Sequence, residues 1–554
     1  KGIGPALAKQ IVSRFGVETL DILQNRPERL LEIKGITENK LEAIKTSYAE
    51  SRMLQDLMTL LSPFKITPKT AQKIYQFFGP ASVDILKKSP FELCQISGFG
   101  FLRVDAIVQK NGGDLRAPMR IKGALFWALE DSKGKNGHLF LTSEALQKEA
   151  LQLLNAKIPI PSLRLHAQEV SDVLEDMILH GEVVSVKGDI YLPRVFAQED
   201  ETARRIAMRV VEPPTPEKIE QILEQVKREI GLALSSKQEA AVYAAYRHNL
   251  SIITGSPGTG KTTVLKTILE VYRRLHPQGE IALMAPTGRA SRRMAESTGM
   301  NSSTIHKACG LVPANNPSGF TAQGDCTICG FIGIDEMSMV GEHLFAYAID
   351  AVLSSPSTRI VLLGDTDQLA PVARGDVLRD LIKCGVIKTV RLDVNYRQGS
   401  TSTITDASIK IRENRAYTGN TRNLMFDDEF RFVPVAEKDK EKEANEIMNH
   451  IVEEYLNGVS KYGMEGTIVL TPTHYDKGTP SGYLCKNRVN AAIQAIVNPK
   501  TDDKLCVEIG KQLFMVGDRI IQRKNTEQVI NGDLGTIQSI AQLESDVAVE
   551  IYFD

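Results

Sequence analysis

Leu250-Ser251-Ile252-Ile253-Thr254-Gly255-Ser256-Pro257-Gly258-Thr259-Gly260-Lys261-Thr262-Thr263 is the stretch that decides the fold. Its first five residues are mostly apolar and β-favouring, the signal of a strand buried on both faces. The strand runs directly into a glycine-rich turn, and a helical pattern from Val264 to Leu275 follows. Glycines in such a turn let backbone N–H groups wrap a phosphate chain. Lys261 is placed to reach the β and γ oxygens of a nucleotide, and the Thr262 hydroxyl to ligate Mg²⁺. The stretch predicts a P-loop NTPase built on a parallel sheet. ATP and Mg²⁺ are the expected cofactors. The nucleotide is expected on Gly255, Pro257, Gly258, Thr259, Gly260, Lys261, Thr262 and Thr263.

Working outward, Gly330-Phe331-Ile332-Gly333-Ile334 reads as a second buried strand, and it ends in Asp335-Glu336. Paired carboxylates at the end of a parallel strand are what phosphoryl transfer needs. Asp335 is expected to hold Mg²⁺ through water, and Glu336 to activate the hydrolytic water. An acidic cap on the following helix is the plainer alternative. A third strand, Arg359–Leu363, ends in Gly364-Asp365-Thr366-Asp367-Gln368-Leu369-Ala370-Pro371. The amide of Gln368 stands where a γ-phosphate sensor belongs.

Further segments complete a set. Upstream lies Ser235-Ser236-Lys237-Gln238, just before the first helix of this region. Ala285-Pro286-Thr287-Gly288-Arg289-Ala290 follows a strand at Ile281–Met284. Thr304-Ile305-His306-Lys307 and Asn395-Tyr396-Arg397-Gln398 come later. In this order the segments resemble the motifs of superfamily 1 helicases. Met337-Ser338 after Asp335-Glu336, with Gly364–Leu369, resembles the RecD branch. The resemblance implies an ATP-dependent DNA helicase moving 5′→3′ on single strands, with a role in repair or recombination. It implies that Gln238 recognises adenine. It implies that Pro286, Thr287, Arg289, Thr304 and His306 touch DNA. It also implies that Arg397 reaches across from a second RecA-like domain to the γ-phosphate, a task that suits a fixed guanidinium fork better than Lys. Ordinary packing is the alternative for His306 and Tyr396.

Later segments agree with that family. Leu470-Thr471-Pro472-Thr473, then Asn490 through Asn498-Pro499, resembles the stretch after the Arg397 motif. Val516–Gln522 with Asn525, then Asn531-Gly532-Asp533-Leu534-Gly535, resembles the entry into an SH3-like insertion. Asn531 and Gly532 are its expected DNA contacts. The chain stops at Asp554 inside that insertion and begins at Lys1-Gly2 in a turn. It therefore reads as part of a longer protein, expected to bind ATP poorly because part of the second RecA-like face is absent.

The first 115 residues carry a repeat. Gly2-Ile3-Gly4-Pro5, Gly35-Ile36-Thr37-Glu38, Lys65-Ile66-Thr67-Pro68 and Gly98-Phe99-Gly100-Phe101 each precede a short helical pattern. Their spacings are 33, 30 and 33 residues, and a near-constant period of this size implies one repeated supersecondary unit. The segments resemble helix-hairpin-helix repeats, as in stand-alone RecD-like proteins that work without RecB and RecC. Backbone N–H groups at such turns seat a DNA phosphate without reading sequence. The middle hairpins have Thr37 and Thr67 where the outer ones have a second Gly, so a purely structural role is the alternative there. Residues 1–120 hold 18 Lys and Arg against 12 Asp and Glu, while the whole chain is −1. A basic block beside a mildly acidic remainder points the same way.

The expected fold class is multidomain α/β: P-loop RecA-like motor domains preceded by an α-helical helix-hairpin-helix region and a small winged-helix-like unit. Expected domains are hairpin repeats at 1–115, the winged-helix-like unit at 116–200 and a linker helix at 201–234. RecA-like domain 1A follows at 235–394, with a hairpin insertion near 309–330. Part of domain 2A is expected at 395–522 and the start of the SH3-like insertion at 523–554. Strands are expected at 137–141 and 188–192, helices at 142–155 and 168–180, and a charged helix at 206–229 interrupted by Pro213, Pro214 and Pro216.

Composition sets the outer bounds. With 554 residues, 42% apolar and 24% charged, the chain has material for several cores. No run of about 18 apolar residues occurs, so no transmembrane helix is expected. Seven scattered Cys suit a reducing cytoplasm. Cys326-Thr327-Ile328-Cys329 has no second pair and reads as two cysteines on a hairpin rather than a zinc site. The expected partners are single-stranded DNA and duplex/single-strand junctions, bound by a monomeric motor. Rival readings are an ATP-driven translocase or remodeller without strand separation, an RNA helicase, and a DNA-junction-binding scaffold with a degenerate motor.

Overall fold

A computed structural model describes residues 4–61, 67–96, 99–110, 112–231, 233–313, 320–322, 330–352, 358–396, 402–412, 426–435, 439–471, 484–510, 512–523, 526, 529, 531–542 and 546–553. The chain divides into two compact units: 1–201 with 373–375, and 202–372 with 376–554.

In the first unit the repeat is visible as two copies of one pattern. Helices Pro5–Phe15 and Thr19–Asn25, then a 3₁₀ turn at Pro27–Glu32 and helix Glu38–Leu61, form the first copy. Helices Pro68–Phe78 and Ser82–Lys88, a 3₁₀ turn at Pro90–Gln95 and helix Phe101–Lys110 form the second. Each copy turns on a glycine at positive φ, Gly16 at 50° and Gly79 at 58°, a conformation that favours residues without a Cβ. The quoted repeat segments all fall at helix starts, although Gly2, Ile3, Lys65, Ile66 and Gly98 lie outside the described residues. The first copy closes its own small core of Ile11, Ile22, Leu30, Leu41 and Ile44. The second copy instead shares one core with the residues that follow, running from Leu57 to Val195.

Those following residues make a compact α/β arrangement. Helices Pro118–Asn136, Ser143–Asn155 and Ala167–Leu179 pack with strands Phe140–Thr142, Val184–Val186 and Asp189–Tyr191. The strand Asp189–Tyr191 is central, and both pairings are antiparallel. Lys187 at φ 53° and Gly188 at φ 92° close the hairpin in two residues, as tight right-twisted hairpins require. A winged-helix-like unit is expected over these residues, and what they form is three helices with a three-stranded antiparallel sheet. Strand Val184–Val186 is additional to the two expected.

A buried ion pair ties the last repeat helix to this unit. Arg120, 1% exposed, donates to both oxygens of Asp105 at 2.6 and 2.9 Å. Its remaining donors reach the carbonyls of Leu115 at 2.9 Å and Leu154 at 2.8 Å. The guanidinium thus makes four hydrogen bonds, close to the full pairing under which a buried charge is tolerated.

The expected helix over 206–229 is really two helices, Pro193–Ala207 and Ile219–Ile230. Pro213, Pro214 and Pro216 lie in the irregular stretch between them, where a missing N–H costs nothing. Ile219, Leu223 and Val226 then bury one stripe on the motor core.

The motor is a six-stranded sheet. In spatial order its strands are Lys388–Leu392, Leu250–Gly255, Arg359–Gly364, Phe331–Ile334, Ile281–Ala285 and Ser302–Thr304. Every pairing is parallel. Alternate residues enter two different cores: Ile252, Leu362 and Ile334 on one face, Ile253, Val361 and Phe331 on the other. Both faces are therefore covered, which explains why these strands read as continuous apolar runs rather than alternations. An antiparallel ribbon, Leu311–Pro313 with Phe320–Ala322, occupies the expected insertion. Cys326 and Cys329 lie outside the described residues.

Beyond Leu392 the described residues form helices Thr403–Arg412, Lys440–Tyr462 and Lys486–Val497, and an antiparallel pair, Cys506–Ile509 with Gln512–Met515. Strands Arg519–Ile521, Leu534–Gln542 and Val547–Phe553 then make an antiparallel sheet. No parallel strand pairing occurs among the described residues of 395–522. No helix is long and apolar enough to cross a membrane among the described residues.

Candidate functional site: a phosphate loop and a carboxylate pair in one cleft

The functional side chains are placed by strand ends. In a parallel sheet all carboxyl ends point one way, so the loops after them converge. The loop after Leu250–Gly255 begins with Gly255, where a Cβ would stand 2.6 Å from the Leu392 carbonyl. Gly258 at φ 86° and Gly260 at φ 83° complete the turn, and helix Lys261–Leu275 begins immediately. Its first N–H groups face the turn, which makes an anion seat. The Lys261 ammonium donates to the carbonyls of Gly255 at 2.5 Å and Ser256 at 3.2 Å. Thr259 donates from its hydroxyl to the Ser256 carbonyl at 2.8 Å.

Glu336 follows the strand Phe331–Ile334 and Asp335. Its backbone is left-handed, φ 54° and ψ 40°, a strained conformation for a residue with a side chain. The Glu336 N–H donates to Asp335 at 2.8 Å, and the Asp335 N–H donates to the Met284 carbonyl of the next strand at 3.0 Å. Burial raises both carboxyl pKa values. For Asp335 the Glu336 N–H and Lys261 partly offset it; for Glu336 the neighbouring Asp335 charge adds to it. The two carboxyls share a cleft with the Thr262 hydroxyl, an oxygen set of the kind that suits a hard divalent cation.

These groups line one cleft of about 1050 Å³. Pro257, Gly258, Gly260, Lys261, Thr262 and Thr263 form its floor. Asp335, Glu336 and Gln368 stand on the wall with Thr287, Arg289 and Tyr396. Gln368 is steadied through its backbone, whose N–H donates to Asp365 at 3.3 Å and whose carbonyl accepts from Arg379 at 3.2 Å. Gln238 does not line the cleft. It sits behind the loop, 5% exposed, with its amide donating to the Thr259 carbonyl at 3.3 Å and accepting the Ser235 N–H at 3.0 Å.

Residues read as DNA contacts divide. Thr287 caps helix Gly288–Thr298, accepting the Ala290 N–H at 3.2 Å, and with Arg289 it faces the nucleotide cleft. Pro286 immediately precedes that cap. Thr304 caps the short helix Ile305–Ala308, and burial depresses the pKa of His306. Asn531 and Gly532 lie in a turn, Gly532 at φ 103°, next to Asp533. Asp533 accepts a two-pronged pair from Arg292 at 3.0 and 3.3 Å, joining that turn to the helix of Arg289. Arg397 lies outside the described residues. Among the hairpin starts, a Cβ at Gly4 would meet open space, whereas one at Gly100 would stand 3.2 Å from Trp127. Close packing thus accounts for Gly100 and leaves Gly4 as the open turn.

Sequence reading missed two arginines. Arg293 lines the cleft, and its charge slightly opposes the rise that burial imposes on the Glu336 carboxyl. Its spacing of four from Arg289 was the available signal, since such residues share a helix face. Arg412 reaches the phosphate loop from far along the chain, and nothing in the sequence marks it.

Family models match most of the chain in pieces. Residues 1–47 match a SAM-like helix-hairpin-helix tandem, and 50–140 match the HHH domain of ATP-dependent RecD2 DNA helicases. Residues 233–425 match an AAA domain, and 489–553 match the SH3 domain of ATP-dependent RecD-like DNA helicases. The ATP-dependent RecD2 DNA helicase of Deinococcus radiodurans is 29% identical over 549 residues, covering 97% of this chain and 71% of that protein. The RecBCD enzyme subunit RecD of Mycolicibacterium smegmatis is 31% identical over 240 residues, 39% of this chain and 42% of that protein. Among solved structures, the Pif1 helicase of Candida albicans is 18% identical, covers 58% of this chain and 75% of that one, and has a TM-score of 0.34.

Proposed function

We propose that the chain is a RecD-like ATP-dependent DNA helicase, a reading supported by the matched helix-hairpin-helix and SH3 segments and the Deinococcus relative, and that its motor moves 5′→3′ on single-stranded DNA and opens duplex ahead of it, in repair or recombination. The observation that carries the reading is the single cleft that gathers Lys261, Thr262, Asp335, Glu336 and Gln368 at the carboxyl ends of neighbouring parallel strands.

Residue roles follow from chemistry and placement. The loop from Gly255 to Gly260 wraps the phosphates, and Lys261 leaves its two carbonyl partners to meet the β and γ oxygens. Thr262 and Asp335 would hold Mg²⁺, which when bound neutralises charge on those oxygens. Glu336 orients and deprotonates the attacking water. Gln368 senses the γ-phosphate, and Arg397 serves as the arginine contributed by the second half. Gln238 is assigned to the adenine end on the family resemblance. The DNA is gripped by its phosphates and stacked bases, with Pro286, Thr287, Arg289, Thr304, His306, Asn531 and Gly532 as the assigned contacts. Substrates are single strands and their junctions with duplex, and a single chain forms the motor.

The test is strand separation with MgATP on a duplex carrying a 5′ or a 3′ single-stranded tail. Opening of the 5′-tailed substrate alone, lost in Lys261→Ala, is expected. ATP hydrolysis without opening of either substrate would mark a translocase instead.

A further inference from the structure

Arg412 lies on helix Thr403–Arg412, in the half of the motor beyond the six-stranded sheet. Its side chain is committed away from its own helix. Its Nη1 donates to the Ser256 hydroxyl at 3.0 Å and to a carboxylate oxygen of Asp367 at 3.3 Å. The first partner belongs to the phosphate loop and the second to the loop that carries Gln368.

Both partners lead directly to the chemistry. The carbonyl of Ser256 accepts the Lys261 ammonium at 3.2 Å. Asp367 precedes Gln368, and its own N–H donates to the buried Asp365 at 3.0 Å. The same Asp367 oxygen accepts from Arg391, on the strand beside the phosphate-loop strand, at 3.2 Å. A second tie lies close by, where the Tyr396 N–H donates to the Gly258 carbonyl at 2.8 Å. The contacts form an unbroken path: Lys261, Ser256, Arg412, Asp367, Gln368.

We propose that Arg412 is a positioning residue that couples the nucleotide cleft to the second half of the motor, a role that rests on the ATP-driven reading above. When Lys261 turns from the Ser256 carbonyl to a phosphate, Ser256 is released from one of its partners. Gln368, on meeting the γ-phosphate, displaces Asp367. Either event alters the seat of the Arg412 guanidinium, and the helix that carries it shifts with it. A planar fork with fixed donors transmits such a change between two partners better than a mobile ammonium does. Coupling of this kind needs a two-sided test, because adjacency alone does not establish it.

Arg412→Ala, Arg412→Lys and Asp367→Asn are compared with the parent protein and with Lys261→Ala. The measurements are ATP hydrolysis with and without single-stranded DNA, and opening of a tailed duplex. Arg412→Ala is expected to lower the DNA-stimulated kcat about tenfold and to leave KM for ATP within about threefold. Duplex opened per ATP hydrolysed falls as well, and Arg412→Lys restores part of both losses. Asp367→Asn, which keeps shape, is expected to reproduce the pattern, and it carries the test if Arg412→Ala fails to fold. Parental DNA stimulation and duplex opening in both Arg412→Ala and Asp367→Asn overturns the proposal. So does a tenfold rise in KM at unchanged kcat, the mark of simple loop packing. A parent protein without ATPase, or a Lys261→Ala variant with full ATPase, would instead sink the motor reading on which this one rests.

Discussion

Glu336 shows what a single position must satisfy at once. It is half-buried, it neighbours another carboxylate, and its backbone is left-handed at φ 54°. Such a conformation persists only where the surroundings impose it. Here its N–H is held by Asp335 and its carbonyl accepts the Met339 N–H at 3.0 Å. The side chain is thereby fixed on the cleft wall. Glu336→Gln keeps shape and backbone while removing the base, so ATP binding is expected to survive. The hydrolysis rate should drop by about 10²–10⁴-fold, the usual weight of a positioned base. Stopped-flow nucleotide binding beside steady-state ATPase checks it, and a variant hydrolysing within threefold of the parent would assign the water-activating role elsewhere. The residue types here were legible because phosphate chemistry demands Gly, Lys, Thr and paired carboxylates at fixed spacing. The left-handed backbone at Glu336 was not, because residue type alone does not mark a non-glycine position at positive φ. Arg412 was illegible for a different reason: its partners are Ser256 and Asp367, distant in the chain.

At the scale of elements, the buried strands and the repeat were readable and the junctions between them were not. Strands such as Arg359–Gly364 are apolar on both faces, so their burial is written in composition. The repeat was legible because each segment must start a helix. Strand Val184–Val186 escaped because only three residues form it, and the better clue was the Lys187-Gly188 turn beside it. The link between the second repeat copy and the winged-helix-like unit also escaped, since it rests on Asp105 and Arg120, two charges that read as surface. Both are nearly fully buried, with side chains 5% and 1% exposed. Removing one partner strands the other, so Arg120→Ala and Asp105→Ala should each destabilise this unit by about 3–5 kcal/mol. Replacing both with apolar residues of similar volume, Arg120→Met with Asp105→Leu, should cost clearly less than either single change. Chemical denaturation followed by the fluorescence of Trp127, the chain's one tryptophan, reads the comparison. Equal losses in the single and double variants would show that shape, not charge, holds the junction.

For the whole molecule the question is how a chain of net charge −1 holds a polyanion. Overall attraction is absent, so grip must come from local arrangement. The basic first 120 residues, the open helix start at Gly4 and the arginines of helix Gly288–Thr298 are local sources of that kind. Contacts of this sort release counterions, and each phosphate neutralised on a single strand contributes about 0.7 to the slope of log affinity against log salt. With about five phosphates held, raising salt from 50 to 200 mM should weaken binding roughly 10²-fold. Backbone contacts carry no sequence information, and stacking tolerates every base. Affinity for a pyrimidine strand and for a mixed strand of equal length should therefore agree within about threefold. Fluorescence anisotropy across a salt series, with both strands, measures slope and preference together. A flat salt response would mean that stacking and shape dominate the grip, and the charge asymmetry along the chain would then belong to solubility. A steep slope with a strong sequence preference would place base-edge contacts in the interface, which neither the hairpin turns nor the cleft-side arginines supply.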